Sequence, residues 1–578
     1  MSRSLVAWAA LAALAPALSA QQARVDSIAG AYWQAQLDRY PEMATEDGFP
    51  GARNGRLVDL TPAAFDAYDA RLRGLERAAA TVDGGALTPL GQVTLRSLQE
   101  SLASDLSQRV CRPELWSVDQ QRGLQVTLPD LAALQPAGTS EERALFLARW
   151  RRIGDLIDQD VLDLRAGLAA GYSAPRSDVT RVIDQLQHLI DTPLDSSPLL
   201  PAAARSDAPH RDDHWAGQIR AEVADVIVPS FRRYLEFLRE VYLPRARLSP
   251  AVAANPDGAA CYRARIHAET TLDLGADSIH AIGLADVAAT RLEMLALAEK
   301  SFGTSNLDSL LPAMRADPSL AFRTGDEVLA AAQEAVDRVR PHLPALFGRL
   351  PPEPVVVAAM PAYEAADAPS AYYYPGTGDG SRPGRFLVNT SSPRSRPRYT
   401  IEALTYHEAI PGHHLQISLA QQLPLPDFMR YGGTTAFTEG WALYAERLAD
   451  EQGFYSDGLQ RMGMLFFRSW RACRLVVDTG IHALGWSRDS AIAYLSANTG
   501  LSRVDVENEV DRYIADPGQA LAYRLGERQI LALRAEAEAR LGPRFDLKAF
   551  HDAVLVDGAV SLPILHDNIE SWITAQGR

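Results

Sequence analysis

The chain has 578 residues, 47% hydrophobic and 22% charged, which is the composition of a folded globular protein and excludes a disordered or fibrous one. A formal net charge of -15 repels phosphate backbones and anionic lipid, so no nucleic-acid partner is expected. Three cysteines, Cys111, Cys261 and Cys473, exclude a disulfide-dense scaffold and allow at most one intrachain bridge with a thiol left over; their spacing fits no cysteine zinc site.

The N-terminus reads as a signal peptide over residues 1–20. Arg3 precedes an apolar run from Leu5 to Leu14, and Pro16-Ala17-Leu18-Ser19-Ala20 ends in small residues. The run is shorter than the roughly 20 apolar residues a membrane span needs, and no other stretch qualifies. No cysteine follows the expected cleavage point, so a lipid anchor is not indicated. The expected location is the periplasm or the exterior.

Residues 21–578 read as a single large helical domain. From 22 to 190 apolar residues recur at three and four, as in Leu145, Phe146, Leu147 and Trp150, the pattern of successive amphipathic helices. Residues 192–213 are rich in turns and charge and form a candidate subdomain break, and 249–258 is a second interruption. Helix resumes over 270–302, with Asp277 or Ser278 as N-cap. Val355 to Ala358 and Gly384 to Asn389 are short extended candidates around the aromatic run Tyr372-Tyr373-Tyr374, so a small sheet is expected inside a mainly α protein. Helices broken by Pro and Gly fill 400–574.

The chemistry concentrates in His407-Glu408-Ala409-Ile410-Pro411-Gly412-His413-His414. Zinc peptidases commonly place two histidines at i and i+4, about 6 Å apart on one helix face, with a glutamate beside the first. Here His407 and His413 are six apart, which in an unbroken helix sets them about 240° from each other around the axis. Pro411 removes a backbone donor and Gly412 accepts unusual dihedrals, so a helix break is expected that returns His413 to His407. His414, at i+7, is the alternative and would sit about 10.5 Å along the axis. Thr400 can cap this helix.

The third ligand is expected from Gly432-Gly433-Thr434-Thr435-Ala436-Phe437-Thr438-Glu439, with Glu439 preferred and Glu446 two turns on along the same face. Two histidines and a carboxylate leave an open position, as in catalytic zinc sites, and Glu408 is then the natural general base toward water activated there. One zinc ion is expected, other divalent metals being compatible.

These motifs resemble the domain-of-unknown-function 885 family. His407 to Gln416, Phe437 to Ala442, Arg474 to His482, Arg512 to Leu521 and Arg382 to Phe386 all look like family segments in the family's order. The resemblance implies a multi-helix fold akin to thimet oligopeptidase and the Taq-type carboxypeptidases, with a deep groove and a metal on its floor. It also implies His407, His413 and Glu439 as ligands.

Supporting roles are assigned from residue type and position. Asp478 and His482, on one helix stripe with Arg471 and Arg474, are candidates to orient a ligand imidazole. Tyr523 is the candidate oxyanion donor, and Tyr513, Gln519 and Arg524, with Arg512 as alternative, are candidates for substrate contact, an arginine meeting a carboxylate. The strand at 384–389 could pair with a bound peptide. The resulting expectation is an exported zinc-dependent hydrolase of amide bonds, a metallopeptidase acting on short peptides. The competing readings are a non-catalytic metal- or peptide-binding protein and a hydrolase of other amides or esters.

Overall fold

A computed structural model describes residues 3–577 except 50, 209–210, 362–364, 366–368, 379 and 381, with side chains from Ala20 onward. Helix accounts for 72% of the structure and strand for 3%, so the chain is mainly α with one small sheet. The elements that matter below are helices α1 (Arg3–Arg39), α2 (Pro89–Gln108), α3 (Gly258–Thr270) and α4 (Ala276–Phe302), then strands β1 (Val356–Ala359), β2 (Ala371–Tyr374) and β3 (Arg385–Val388). Helices α5 (Ile401–Glu408), α6 (His413–Gln422), α7 (Thr435–Glu451), α8 (Gly458–His482), α9 (Arg503–Ala515) and α10 (Ala522–Leu541) follow.

The signal-peptide stretch lies within α1, its side chains before Ala20 being outside the described residues. Among the described residues no helix is long and apolar enough to cross a membrane.

Local chemistry explains many of the boundaries. Thr88 caps α2 through its side chain with Pro89 at the first helical position, and Asp457 and Ser502 cap α8 and α9 in the same way. Two expected caps fail. Gly275, without a side chain to offer, precedes α4 in place of Asp277 or Ser278, and Thr400 donates to the Pro397 carbonyl at 3.0 Å instead of capping α5.

The sheet has the order β1-β3-β2, β3 running parallel to β1 and antiparallel to β2, with Tyr373 opposite Phe386. The aromatic run 372–374, which lies between the two extended candidates in sequence, is thus itself a strand. Because β3 is paired on both sides, it has no free edge for a peptide; the expected pairing of 384–389 with substrate backbone is corrected on that ground.

Two large apolar cores organise the molecule. One joins Trp33 of α1 to Phe386 of β3, Leu404 of α5, Trp441 of α7 and Ile573 near the C-terminus. The other is built from residues between Leu57 and Ala246, including Phe146, Trp150 and Tyr242. Leu189, Leu199, Leu200, Ala204 and Trp215 all lie in this second core, so the segment 192–213 does not separate one core from another. A disulfide joins Cys111 and Cys261, 150 residues apart, on either side of most of that core, while Cys473 is a free, buried thiol.

Helices α7 and α10 cross in close contact. A Cβ placed on Gly526 would come within 1.8 Å of the Ala436 carbonyl oxygen, so this crossing requires glycine.

Candidate metal centre

Helix α5 carries His407 and Glu408 in its last turn and stops there, Ala409 leaving helical geometry at φ -100°, ψ -105°. The chain turns through Ile410-Pro411-Gly412 and helix resumes at His413. The His414 amide donates to the Ala409 carbonyl at 3.1 Å, and the Trp441 indole N–H donates to the Pro411 carbonyl at 2.9 Å, which fixes the turn against α7. The turn is so tight that a Cβ on Gly412 would stand 1.9 Å from the His407 carbonyl oxygen. The two extra residues are thereby absorbed, and the His407 and His413 rings lie 4.8 Å apart at 85°.

Helix α7 brings Glu439 to the same point. Its Oε2 is 3.5 Å from His407 Nε2 and 3.4 Å from His413 Nε2, and one ligand atom from each of the three residues lies within 4.8 Å of the others. His414 points elsewhere: Nδ1 meets the Tyr373 hydroxyl at 3.1 Å and Nε2 the Glu353 carbonyl at 3.1 Å. Burial pulls its pKa down to about 4. His413 and not His414 therefore shares the cluster.

The cluster has the features of a cation site. Glu439 Oε2 and His413 Nδ1 are buried without a hydrogen-bond partner among the described residues. Burial disfavours charge on Glu439, but His413 and His407 outweigh it and hold the carboxyl well below its usual range. Burial likewise opposes charge on His407, yet Glu439 and Glu446 lift its pKa to about 9. Positive charge is thus favoured between these groups. Two imidazole nitrogens and a carboxylate oxygen match the donor set zinc prefers.

The partner that orients His407 is Glu446, whose Oε1 sits 2.7 Å from His407 Nδ1 with both side chains buried. Its place two turns after Glu439 on α7 was the available signal. Asp478 and His482 do not fill this role. Asp478 accepts from the Tyr262 hydroxyl at 2.6 Å and the Gly518 amide at 3.2 Å, and burial pushes its pKa up to about 7. His482 joins the Val252 amide at 3.1 Å to the Tyr513 carbonyl at 2.8 Å. Both tie α8 to its neighbours.

Other expected site residues divide in the same way. Arg524 is enclosed in a charge cluster, giving Nε to Asp286 at 2.7 Å and Nη1 to Glu527, and has no donor to spare for substrate through those atoms. Tyr513 is wholly buried, its hydroxyl accepting from Trp470 at 2.8 Å and Arg474 at 3.0 Å. Substrate contact by Arg524 and Tyr513 is corrected accordingly: their polar groups are consumed by the fold. Gln519 is half-buried and links Arg512, at 2.6 Å, to the Tyr523 hydroxyl, at 3.3 Å. Tyr523 is half-buried and lies in the field of Glu439, burial and that carboxylate together raising its pKa.

Glu408 is half-buried beside His407. Its Oε2 accepts from the Tyr373 amide of edge strand β2 at 2.9 Å, a contact that sequence reading did not foresee because it joins residues 35 apart across two element types.

Residues 41–569 match a family described as bacterial proteins of unknown function, DUF885. The chain belongs to the DUF885 family. Two solved structures resemble this DUF885 protein over almost their whole length. One, titled a "putative lipoprotein" from Colwellia psychrerythraea, is 27% identical, with a TM-score of 0.88, and the match covers 96% of this chain and 99% of that one. The other, titled a "putative lipoprotein of unknown function" from Shewanella oneidensis, is 19% identical with a TM-score of 0.73, over 93% and 98% of the chains, and shows the shared fold. No curated protein matches this DUF885 chain.

Proposed function

We propose that the protein is an exported zinc-dependent hydrolase that cleaves amide bonds in short peptides. The observation that carries the reading is the convergence of His407, His413 and Glu439 on one point with Glu408 next to it. The kinship with thimet oligopeptidase and Taq-type carboxypeptidases, and a groove leading to the centre, belong to the same reading. Export is supported by the pattern of residues 1–20, by the Cys111–Cys261 disulfide, a bond that persists in oxidising compartments, and by the lipoprotein title of the Colwellia relative.

His407, His413 and Glu439 would hold a divalent ion, whose Lewis acidity would polarise a carbonyl and acidify water. The protein's own groups do the rest. The Tyr373 amide fixes Glu408 through Oε2, and Oε1 makes no hydrogen bond to the described residues, so it is the atom available to take a proton from the attacking water and return it to the leaving amine. Glu446 holds His407 in one tautomer and one orientation. The Tyr523 hydroxyl accepts from Gln519 and retains its own proton for the oxyanion that develops on the attacked carbonyl.

Two substitutions test the assignment. His407→Ala should lose the metal; Glu408→Gln should keep it and lose roughly a hundredfold or more in kcat on a mixed peptide library. A metal-replete sample holding less than about a tenth of an equivalent of zinc, cobalt or manganese would sink the reading.

A further inference from the structure

Arg471, on α8, is 5% exposed, and its Nε and Nη1 are enclosed without a hydrogen-bond acceptor among the described residues. Aromatic faces flank it, Phe467 at 4.7 Å and Trp470 at 4.1 Å from ring centroid to guanidinium. One turn on, Arg474 is 3% exposed. It gives Nε to Tyr513 at 3.0 Å and Nη2 to Glu509 at 3.1 Å but leaves Nη1 enclosed and unmatched.

Arg39 and Arg247 also keep enclosed donors without a partner among the described residues, but two other buried arginines are well matched. Arg149, fully buried, makes five hydrogen bonds, and Arg524 is held between Asp286 and Glu527. A guanidinium stays charged and carries five N–H donors, and an enclosed charge with no acceptor is costly unless something else completes it. Arg474 is already paired with Glu509, so the unmatched charge is that of Arg471, and its donors, with Nη1 of Arg474, call for an anion.

The position says which anion. Helix α8 packs against both α5 and α7, the helices that carry His407, Glu439 and Glu446. The Arg474 guanidinium lies 4.3 Å from the centre of the Tyr523 ring, and Tyr523 lies in the field of Glu439. Arg471 lies in the field of Arg474 and of Glu446, Tyr523 and Glu509. The unmatched donors thus border the residues that would surround a scissile amide. A planar carboxylate can take two guanidinium donors at once.

We propose that Arg471, with Nη1 of Arg474, forms a carboxylate-recognition subsite beside the metal centre, and that the preferred substrates are peptides bearing a carboxylate close to the cleaved bond. The proposal rests on the hydrolase reading for its catalytic meaning, but binding tests it separately. The carboxylate has two sources, a free C-terminus or an acidic side chain.

The experiment uses the full, metal-replete protein and three probes: acetyl-trialanine with a free C-terminus, the same peptide amidated, and an amidated acetylated peptide ending in glutamate. Calorimetric affinities and, where turnover occurs, kcat/KM are compared. The free acid should exceed its amide by about tenfold to a hundredfold, the range for charge-assisted hydrogen bonds. If instead the glutamate peptide alone exceeds the amide, the subsite stands with a side-chain carboxylate as its ligand. Arg471→Met should abolish the preference while metal content is kept. Arg471→Lys, which keeps the charge without the fork, should retain a reduced preference and serves if the methionine variant does not fold. Equal affinity for all three probes in the wild type overturns the proposal, as does a preference that survives in Arg471→Met. Turnover without acid preference sinks the subsite and leaves the hydrolase; acid-selective binding with no turnover does the reverse.

Discussion

The bond from His407 Nδ1 to Glu446 Oε1 settles which ring nitrogen faces Glu439, and it does so from a fully enclosed position. Removing the carboxylate with Glu446→Ala should weaken metal binding by about 10- to 100-fold in chelator competition while leaving the helical content unchanged. An unaltered affinity would show that His407 is oriented by packing alone. A second residue-level prediction concerns His551, whose Nδ1 meets the Leu346 carbonyl at 2.9 Å and whose Nε2 meets the Tyr444 hydroxyl at 2.6 Å. Burial pulls its pKa down to about 4. Its folded pKa is below the unfolded value of about 6.5, so its contribution is complete above that pH and is lost as pH falls toward 4. Urea denaturation should therefore show the stability gap between wild type and His551→Asn shrinking by about 2–3 kcal/mol from pH 7 to pH 4.5; a gap independent of pH would refute this. At this scale the sequence was informative where chemistry is local. His407, Glu408 and Glu439 stand in recognisable company, and the structure brings the two candidate ligands together with His413. Arg524 and Tyr513 were misread because what occupies them, Asp286 at a separation of 238 residues and Trp470 on α8, is set by tertiary packing.

Among the elements, the break between α5 and α6 was legible because Pro and Gly state their constraints without help from the rest of the fold. Its tightness was not. Gly412→Ala would press a methyl against the His407 carbonyl and should force α6 outward, carrying His413 away from Glu439. We expect a Tm lowered by several degrees and a metal content well below one equivalent, measured on the same preparation. A variant with full metal content would mean that the turn relaxes without moving His413. Strand β2 escaped notice because three consecutive tyrosines show no alternation, and only pairing with β3, with Tyr373 opposite Phe386, makes them a strand. The same pairing turned β3 from an expected peptide-binding edge into the middle of the sheet.

For the molecule as a whole, helical periodicity announced a mainly α chain with a small sheet, but not its division into two large cores. Core membership depends on which helix faces meet, and the stretch 192–213 looked like a boundary because turn-forming and charged residues crowd it. Yet Leu199 and Leu200 are fully enclosed in the second core. The disulfide lies outside that core, in a smaller apolar cluster with Val252, Tyr262 and Leu475, and joins the chain just beyond α2 to α3. Closing a loop of 150 residues restricts the unfolded chain, so Cys111→Ala/Cys261→Ala should cost about 2–5 kcal/mol, read as a lowered urea midpoint that reductant reproduces in the wild type and not in the variant. An unchanged midpoint would show that packing alone secures this junction.

Viewed as a map of covalent links, residues 111 to 261 form a closed ring set into an otherwise open thread. A single peptide-bond cut at any site inside the ring opens it without parting the thread. In a compartment where proteases are abundant, such a nicked molecule would migrate as one species until its sulfur link is reduced, and its two fragments would stay together to hold the second core in place.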